Sequence, residues 1–281
     1  MARKTVLITG GNSGIGLAIA HEAAARGARV CIASRDQQKS AAAKAAIEKA
    51  VPGAEVETFR LDLGSLEAIR AFAAEFLQKH PVLDVLVNNA GTNLETQKFT
   101  ADGYEMQFGG NYLGPFLLTH LLLPALENAD DGRIVHMASM IHLIGRIDES
   151  TFRGRKPYIG VMAYAQSKLG NILFSHALAR RLASRGITSN AMHPGGVNTN
   201  IYDDLPGWIS GALRPFLIGP DKAAKLACDF ALAPEHRQTT GTYRTVQPPS
   251  FQSRKARNVE LQEWLYAESC RLAGVTPLPT P

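Results

Sequence analysis

The chain is 281 residues long, room for one large α/β unit or two small domains, and its 45% hydrophobic and 20% charged residues exclude a disordered chain apart from the last few positions. A net charge of +5 and a pI near 9.2 raise the question of nucleic acid or a membrane surface. Lys and Arg are, however, scattered among Asp and Glu without a dense basic run, so the charge is background that a phosphorylated cofactor would suit, and nucleic acid is not expected as a partner.

Cys31, Cys228 and Cys270 stand far apart, without CxxC spacing or His partners. They are expected to be free thiols of a reducing compartment, with neither a disulfide framework nor a zinc site. The most apolar run, Leu113 to Leu126, contains Gly114, Pro115, His120 and Pro124 and is too short to span a bilayer. The first strand begins within a few residues of Met1, leaving no room for a signal peptide. A soluble, cytoplasmic protein without a membrane anchor is expected.

Thr5 to Thr9 is a short β-branched run suited to a buried parallel strand. It leads into Gly10-Gly11-Asn12-Ser13-Gly14-Ile15-Gly16 and then a helical pattern from Leu17 to Arg26. Gly10 permits the tight turn, Gly14 lets backbone approach a pyrophosphate, and Gly16 allows helix to pack on strand; phosphate then lies at the helix N-terminus. Arg29 to Ala33 is the second strand. At its end, where an acidic residue would grip the ribose 2′-hydroxyl of NAD, stand Ser34 and Arg35. A guanidinium there favours the 2′-phosphate of NADP, with NAD still possible because Asp36 could serve as the acidic residue if the strand end shifts by two.

Asp36 to Ala50 is an alanine-rich helix, and Glu55 to Leu61 a third strand followed by Asp62-Leu63. Ser65 can cap a helix over Leu66 to Lys79. Val82 to Val87 is a fourth strand ending in Asn88-Asn89-Ala90-Gly91, either the ligand crevice of an open α/β sheet or a plain strand-to-loop turn. Tyr104 to Leu126 carries a long helical pattern with Asn111 in its middle. An amide there either bonds backbone across a kink or is exposed.

Gly132 to Ser139 is the fifth strand, with Ser139 on the crevice side. Met140 to Val161 reads as a flap or surface loop. A long helix then runs to about Arg185, Ile187 to Met192 is the sixth strand, and His193-Pro194-Gly195-Gly196-Val197-Asn198-Thr199 follows. The breakers and large apolar groups of residues 200–219 suit a mobile lid over an apolar ligand. Asp221 to Leu232 is a helix, Gly241 to Val246 a last strand, and Val259 to Leu272 a C-terminal helix, all within one dinucleotide-binding and catalytic domain over residues 1–281.

The stretch on which the rest converges is Tyr164-Ala165-Gln166-Ser167-Lys168, inside the long helix. Tyr164 and Lys168 fall one turn apart on one face, so both can reach one reacting centre. The ammonium charge favours phenolate over phenol and draws the tyrosine's acidity from its ordinary value of about 10 towards working pH, which makes a proton donor. The bland alternative is an ordinary exposed pair.

With Thr9-Gly10-x-x-x-Gly14-Ile15-Gly16, Asn88 to Gly91, Asn111, Ser139, Tyr164-x-x-x-Lys168 and Pro194-Gly195 in this order, the chain resembles the short-chain dehydrogenases/reductases from residue 4 to about 247. Asn111 to Thr119, the extended interval from Ser139 to Tyr164, and Arg254 to Arg257 resemble the retinol-dehydrogenase-like branch. The resemblance implies one doubly wound Rossmann domain with a seven-stranded parallel sheet, helices on both faces, and NADP(H)-dependent interconversion of an apolar ketone or aldehyde and its alcohol.

By position, the resemblance makes Tyr164 the acid/base. Lys168 touches the nicotinamide ribose and lowers the tyrosine's pKa, Ser139 bonds the substrate oxygen, and Asn111 holds a relay water. It gives Asp62, Leu63 and Asn89 to Gly91 to the adenosine half, Val197 and Thr199 to the carboxamide, and no metal. It also implies a homo-oligomer, dimer or tetramer, paired through the helices at Tyr104 to Leu126 and Gly160 to Arg185. The chain departs from the pattern by lacking the N-terminal hydrophobic anchor of membrane-bound relatives, by Ala138 where a second serine is common, and by Gly109-Gly110 before Asn111, where a kink is expected. A non-catalytic NADP(H)-binding sensor on the same fold is the alternative, disfavoured because the full Asn, Ser, Tyr and Lys set is present.

Overall fold

A computed structural model describes residues 3–195 and 219–280. Seven strands form one parallel sheet in the order β3-β2-β1-β4-β5-β6-β7: β1 (Thr5–Thr9), β2 (Arg29–Ser34), β3 (Glu55–Arg60), β4 (Val85–Asn88), β5 (Arg133–Met137), β6 (Thr188–His193) and β7 (Tyr243–Thr245). β1 and β5 are buried along their whole length, as apolar runs covered on both faces must be. β1 pairs with β2 from Thr5↔Arg29 to Thr9↔Ala33 and with β4 from Val6↔Val85 to Ile8↔Val87. The strand order reverses between β1 and β4, so the ligand crevice of such a sheet opens beyond their C-terminal ends.

Alternation along the strands divides the core into two layers. Val6, Ile8, Val30, Val87 and Met137 face one way, onto α1 (Gly14–Ala25), α2 (Gln37–Ala50) and α7 (Pro220–Leu232). Leu7, Cys31, Phe59, Leu86 and Ile134 face the other, onto α3 (Leu66–Lys79), α5 (Gly114–Glu127) and α6 (Gly160–Leu182). Ser65 caps α3 as its sequence suggests, its hydroxyl accepting from Ala68 N at 3.2 Å.

β4 begins at Val85, three residues later than the apolar run implied; Val82 is exposed, and Leu83 N is taken by Ala125 O at 2.9 Å. The expected helix from Tyr104 to Leu126 is broken into a single turn α4 (Met106–Phe108), a π turn (Gly109–Leu113) and α5. Small residues make that passage necessary. A Cβ on Gly109 would lie 2.4 Å from Thr100 Cγ2, and one on Gly114 would lie 2.4 Å from Leu63 O. The Met140 to Val161 passage holds short 3₁₀ turns and runs over the surface, pinned where Phe152 stacks on Phe108 at 3.8 Å.

The C-terminal helix α8 (Val259–Ala273) lies across α5 and α6. Tyr112 and Ser269 hydroxyls meet at 2.7 Å, His120 Nε2 accepts from the Tyr266 hydroxyl at 2.8 Å, and Arg180 bonds Glu263 at 2.6 Å. α8 thereby covers part of the surface of the two helices expected to pair. Beyond Tyr164, every residue of α6 except Arg180 is already buried within one chain. No helix among the described residues is long and apolar enough to cross a membrane.

Candidate active site

The turn from β1 into α1 is shaped by glycine. Gly10 has φ +66, a conformation other residues rarely adopt. Gly16 sits so close to the strand end that a Cβ would be 2.2 Å from Gly10 O and 2.5 Å from Asn89 Nδ2. Thr9 joins the two halves of the crevice: its Oγ1 accepts from the main-chain N–H groups of Asn89 and Ala90, both at 3.0 Å, and Asn89 Nδ2 donates to Thr9 O at 2.9 Å. Ser13 precedes α1 without a side-chain cap, so the N–H groups of the first turn face an open site suited to an anion.

A cavity of about 450 Å³ runs along this edge. Its first wall is Gly10, Asn12, Ser13, Gly14, Ile15 and Gly16. Ser34, Arg35, Asp62 and Leu63 close one end, and Asn89, Ala90 and Gly91 lie opposite. Asp36 also reaches the cavity, but its Oδ1 accepts from Lys39 N at 3.0 Å as the N-cap of α2. Ser34 Oγ is held between Asn12 Nδ2 at 2.8 Å and Ser40 Oγ at 2.7 Å. Lys39, which no spacing rule singled out, brings a second cation beside Arg35.

At the other end α6 delivers Tyr164 and Lys168 to the cavity together with Asn111, Met137 and Pro194. Lys168 Nζ lies 5.4 Å from the centre of the Tyr164 ring and donates to Met137 O at 2.9 Å. Burial pushes its pKa down to about 8, because an ammonium loses hydration there. Asn111 is not exposed. Its Nδ2 donates to Thr92 O at 2.7 Å and its Oδ1 accepts from Thr92 N at 2.8 Å, so the π turn aims the amide at the loop after β4.

Ser139 follows Ala138 of the cavity wall without itself lining it; its Oγ accepts from Ile141 N at 3.3 Å, and His142 Nδ1 donates to its carbonyl at 2.7 Å. Gly195 lies just past Pro194 and does not line the cavity. Val197, Thr199 and residues 200–218 of the expected lid lie outside the described residues. Sequence reasoning missed Thr92 and Met106 as well as Lys39; all three line the cavity.

Residues 4–209 match the family model described as short chain dehydrogenase. Retinol dehydrogenase 12 of Mus musculus is 39% identical over 274 residues, covering 97% of this chain and 87% of that protein. Retinol dehydrogenase 11 of Homo sapiens is 38% identical over 97% of this chain and 86% of its own length. Among solved structures, an uncharacterized protein from Mycobacterium Paratuberculosis superposes with a TM-score of 0.75 at 34% identity, covering 99% of this chain and 96% of that one. An actinorhodin polyketide ketoreductase variant with NADPH superposes with a TM-score of 0.71 at 25% identity, covering 87% and 95%. The chain belongs to the short-chain dehydrogenases and is retinol-dehydrogenase-like, an oxidoreductase that interconverts alcohols and carbonyl compounds with a nicotinamide cofactor.

Proposed function

We propose that the protein is an NADP(H)-dependent reductase, or the reverse dehydrogenase, of an apolar ketone or aldehyde, acting as one catalytic unit with Tyr164 as acid/base. The observation that carries this reading is the meeting of Tyr164, Lys168 and Asn111 at one end of a cavity whose other end holds Arg35 and Lys39. The open first turn of α1 between those ends suits a pyrophosphate. Two cations beside Ser34, with the Asp36 carboxylate engaged as a helix cap, favour a 2′-phosphate over a bare ribose hydroxyl. A bound nicotinamide supplies or accepts the hydride.

The chain's own residues handle the oxygen and the proton. Tyr164 donates its phenolic proton to the carbonyl oxygen as negative charge develops there, and Ser139, two residues past the end of β5, gives a second hydrogen bond to that oxygen. Lys168 stabilises the resulting phenolate through its charge. Gly91 lets both Lys168 and Asn111 come close to the loop after β4, since a Cβ there would crowd Lys168 Nζ at 3.3 Å and lie 3.5 Å from Asn111 Oδ1. A relay water held at Asn111 returns the proton to Tyr164 through Lys168.

An apolar substrate is supported by the side chains flanking the reacting pair in sequence. Met140, Leu143 and Ile144 follow Ser139, Ile159 and Val161 precede Tyr164, and all five are 40–51% exposed. The retinol dehydrogenase relatives agree with this chemistry. Screening aldehydes, ketones and retinoids with NADPH against NADH tests the proposal. The expected result is turnover of an apolar carbonyl compound with NADPH preferred; cofactor binding without turnover of any of them would favour the sensor reading.

A further inference from the structure

A second cluster of reactive side chains shares no residue with the crevice. The register of β2 on β3 sets Cys31 beside Glu57, and side chains paired in this way leave a sheet on the same face. α3 returns His80 to the same spot as the residue ending its last turn, with His80 N bonded to Phe76 O at 2.8 Å. His80 Nε2 lies 4.0 Å from Cys31 Sγ and 3.3 Å from Glu57 Oε2, and all three atoms fall within 4.8 Å of one another. The imidazole is held in orientation by Phe76 at 4.8 Å and Phe59 at 5.9 Å.

A hydrogen-bonded relay does not account for this arrangement. In a thiol, imidazole and carboxylate relay the acid bonds the ring nitrogen that the thiol leaves alone. Here both approach Nε2. Three such donors converging on one point are the ligand set of a zinc centre, whose tetrahedral geometry separates nitrogen from oxygen ligands by about 3.3 Å and nitrogen from sulfur by about 3.5 Å. The observed 3.3 and 4.0 Å are close to those separations.

An ion has a way in. Glu57 and His80 line a surface groove with Glu48 and Glu55. The cations on that rim are already engaged, Arg29 with Glu55 at 2.8 Å and Lys79 with Glu75 at 2.7 Å.

We propose that Cys31, Glu57 and His80 bind a divalent cation of zinc type, with water as fourth ligand, clasping β2, β3 and the end of α3. The metal–sulfur bond forms as the thiol proton leaves for solvent, and nothing is oxidised or reduced. No short spacing links the three residues, so the fold alone assembles them. This departs from the sequence expectation that Cys31 has no His partner.

The test uses the full chain, stripped with a chelator and titrated with Co²⁺ as a spectroscopic probe, with Zn²⁺ as competitor. We expect binding of one equivalent, a near-ultraviolet thiolate-to-cobalt charge-transfer band that Zn²⁺ removes, and a higher melting temperature with Zn²⁺. Cys31→Ser should abolish the band. Glu57→Gln, at a half-exposed position that leaves the fold intact by circular dichroism, should weaken Co²⁺ by more than the roughly ten- to hundredfold seen for outer-shell partners. No band in the unaltered chain, a band that survives Cys31→Ser, or full affinity in Glu57→Gln would each overturn the proposal.

Discussion

Gly16 has no room for even a methyl group: the strand end and the Asn89 amide already occupy the position its Cβ would take. Gly16→Ala must therefore push α1 off the turn, costing about 1–3 kcal/mol and weakening cofactor. A lower melting temperature together with a weaker NADPH titration is the expected outcome. In the proposed reading Arg35 and Lys39 hold the 2′-phosphate by charge-assisted hydrogen bonds. Replacing both with Ala should raise the Kd for NADPH about tenfold or more, the worth of lost charge-assisted hydrogen bonds, and leave NADH nearly unchanged; equal losses for both cofactors would contradict the 2′-phosphate assignment. Arg35 was legible because it follows a strand at a fixed offset. Lys39 was not, since it sits inside the first turn of α2, and only the Asp36 cap turns that helix start towards the cavity.

Elements whose periodicity is uninterrupted were legible almost to the residue, as α3 and β1 show. The break at Gly109 to Leu113 was legible only as a weakness. Its cause is the fit of glycines against Thr100 and Leu63 and the bond from Asn111 to Thr92, none of which lies within helical range in the chain. α8 shows the same limit: its start and stop are written in Asn258 and Gly274, but its place against α5 and α6 depends on polar contacts between distant residues. One of those contacts makes it sensitive to acid. Burial pushes His120 down to about 4 and His136 to about 3.

Below an ordinary histidine value of about 6.5 the unfolded chain takes up protons that the folded one refuses, so stability is complete above that value and falls on acidification towards 4. Each histidine should cost about 2 kcal/mol by pH 5. Melting temperature should drop between pH 7 and 5, and His120→Gln should flatten part of that slope. An unchanged slope would show that His120 is not buried neutral against Tyr266.

At the scale of the whole molecule, the order of seven strands fixes where the crevice must lie. Alternating strand and helix patterns pointed to one α/β unit and the resemblance to a seven-stranded parallel sheet, while the order of the strands is written in no local pattern. The helices expected to pair are partly covered from within the chain by α8, a placement that no short-range pattern announced. Deleting residues 259–281 should uncover the aromatic layer where Tyr266 meets Phe116 at 5.5 Å. Light scattering should then report association beyond that of the full chain. A truncated chain that stays as dispersed and as stable would contradict this role for α8.

The most direct test of the account pairs two readings on Tyr164→Phe: NADPH binding by fluorescence titration, and turnover with a substrate the unaltered chain reduces. Loss of the phenolic proton should abolish turnover while NADPH still binds with nearly unchanged affinity. A variant that keeps the full rate would contradict the account, since another group would then be delivering the proton.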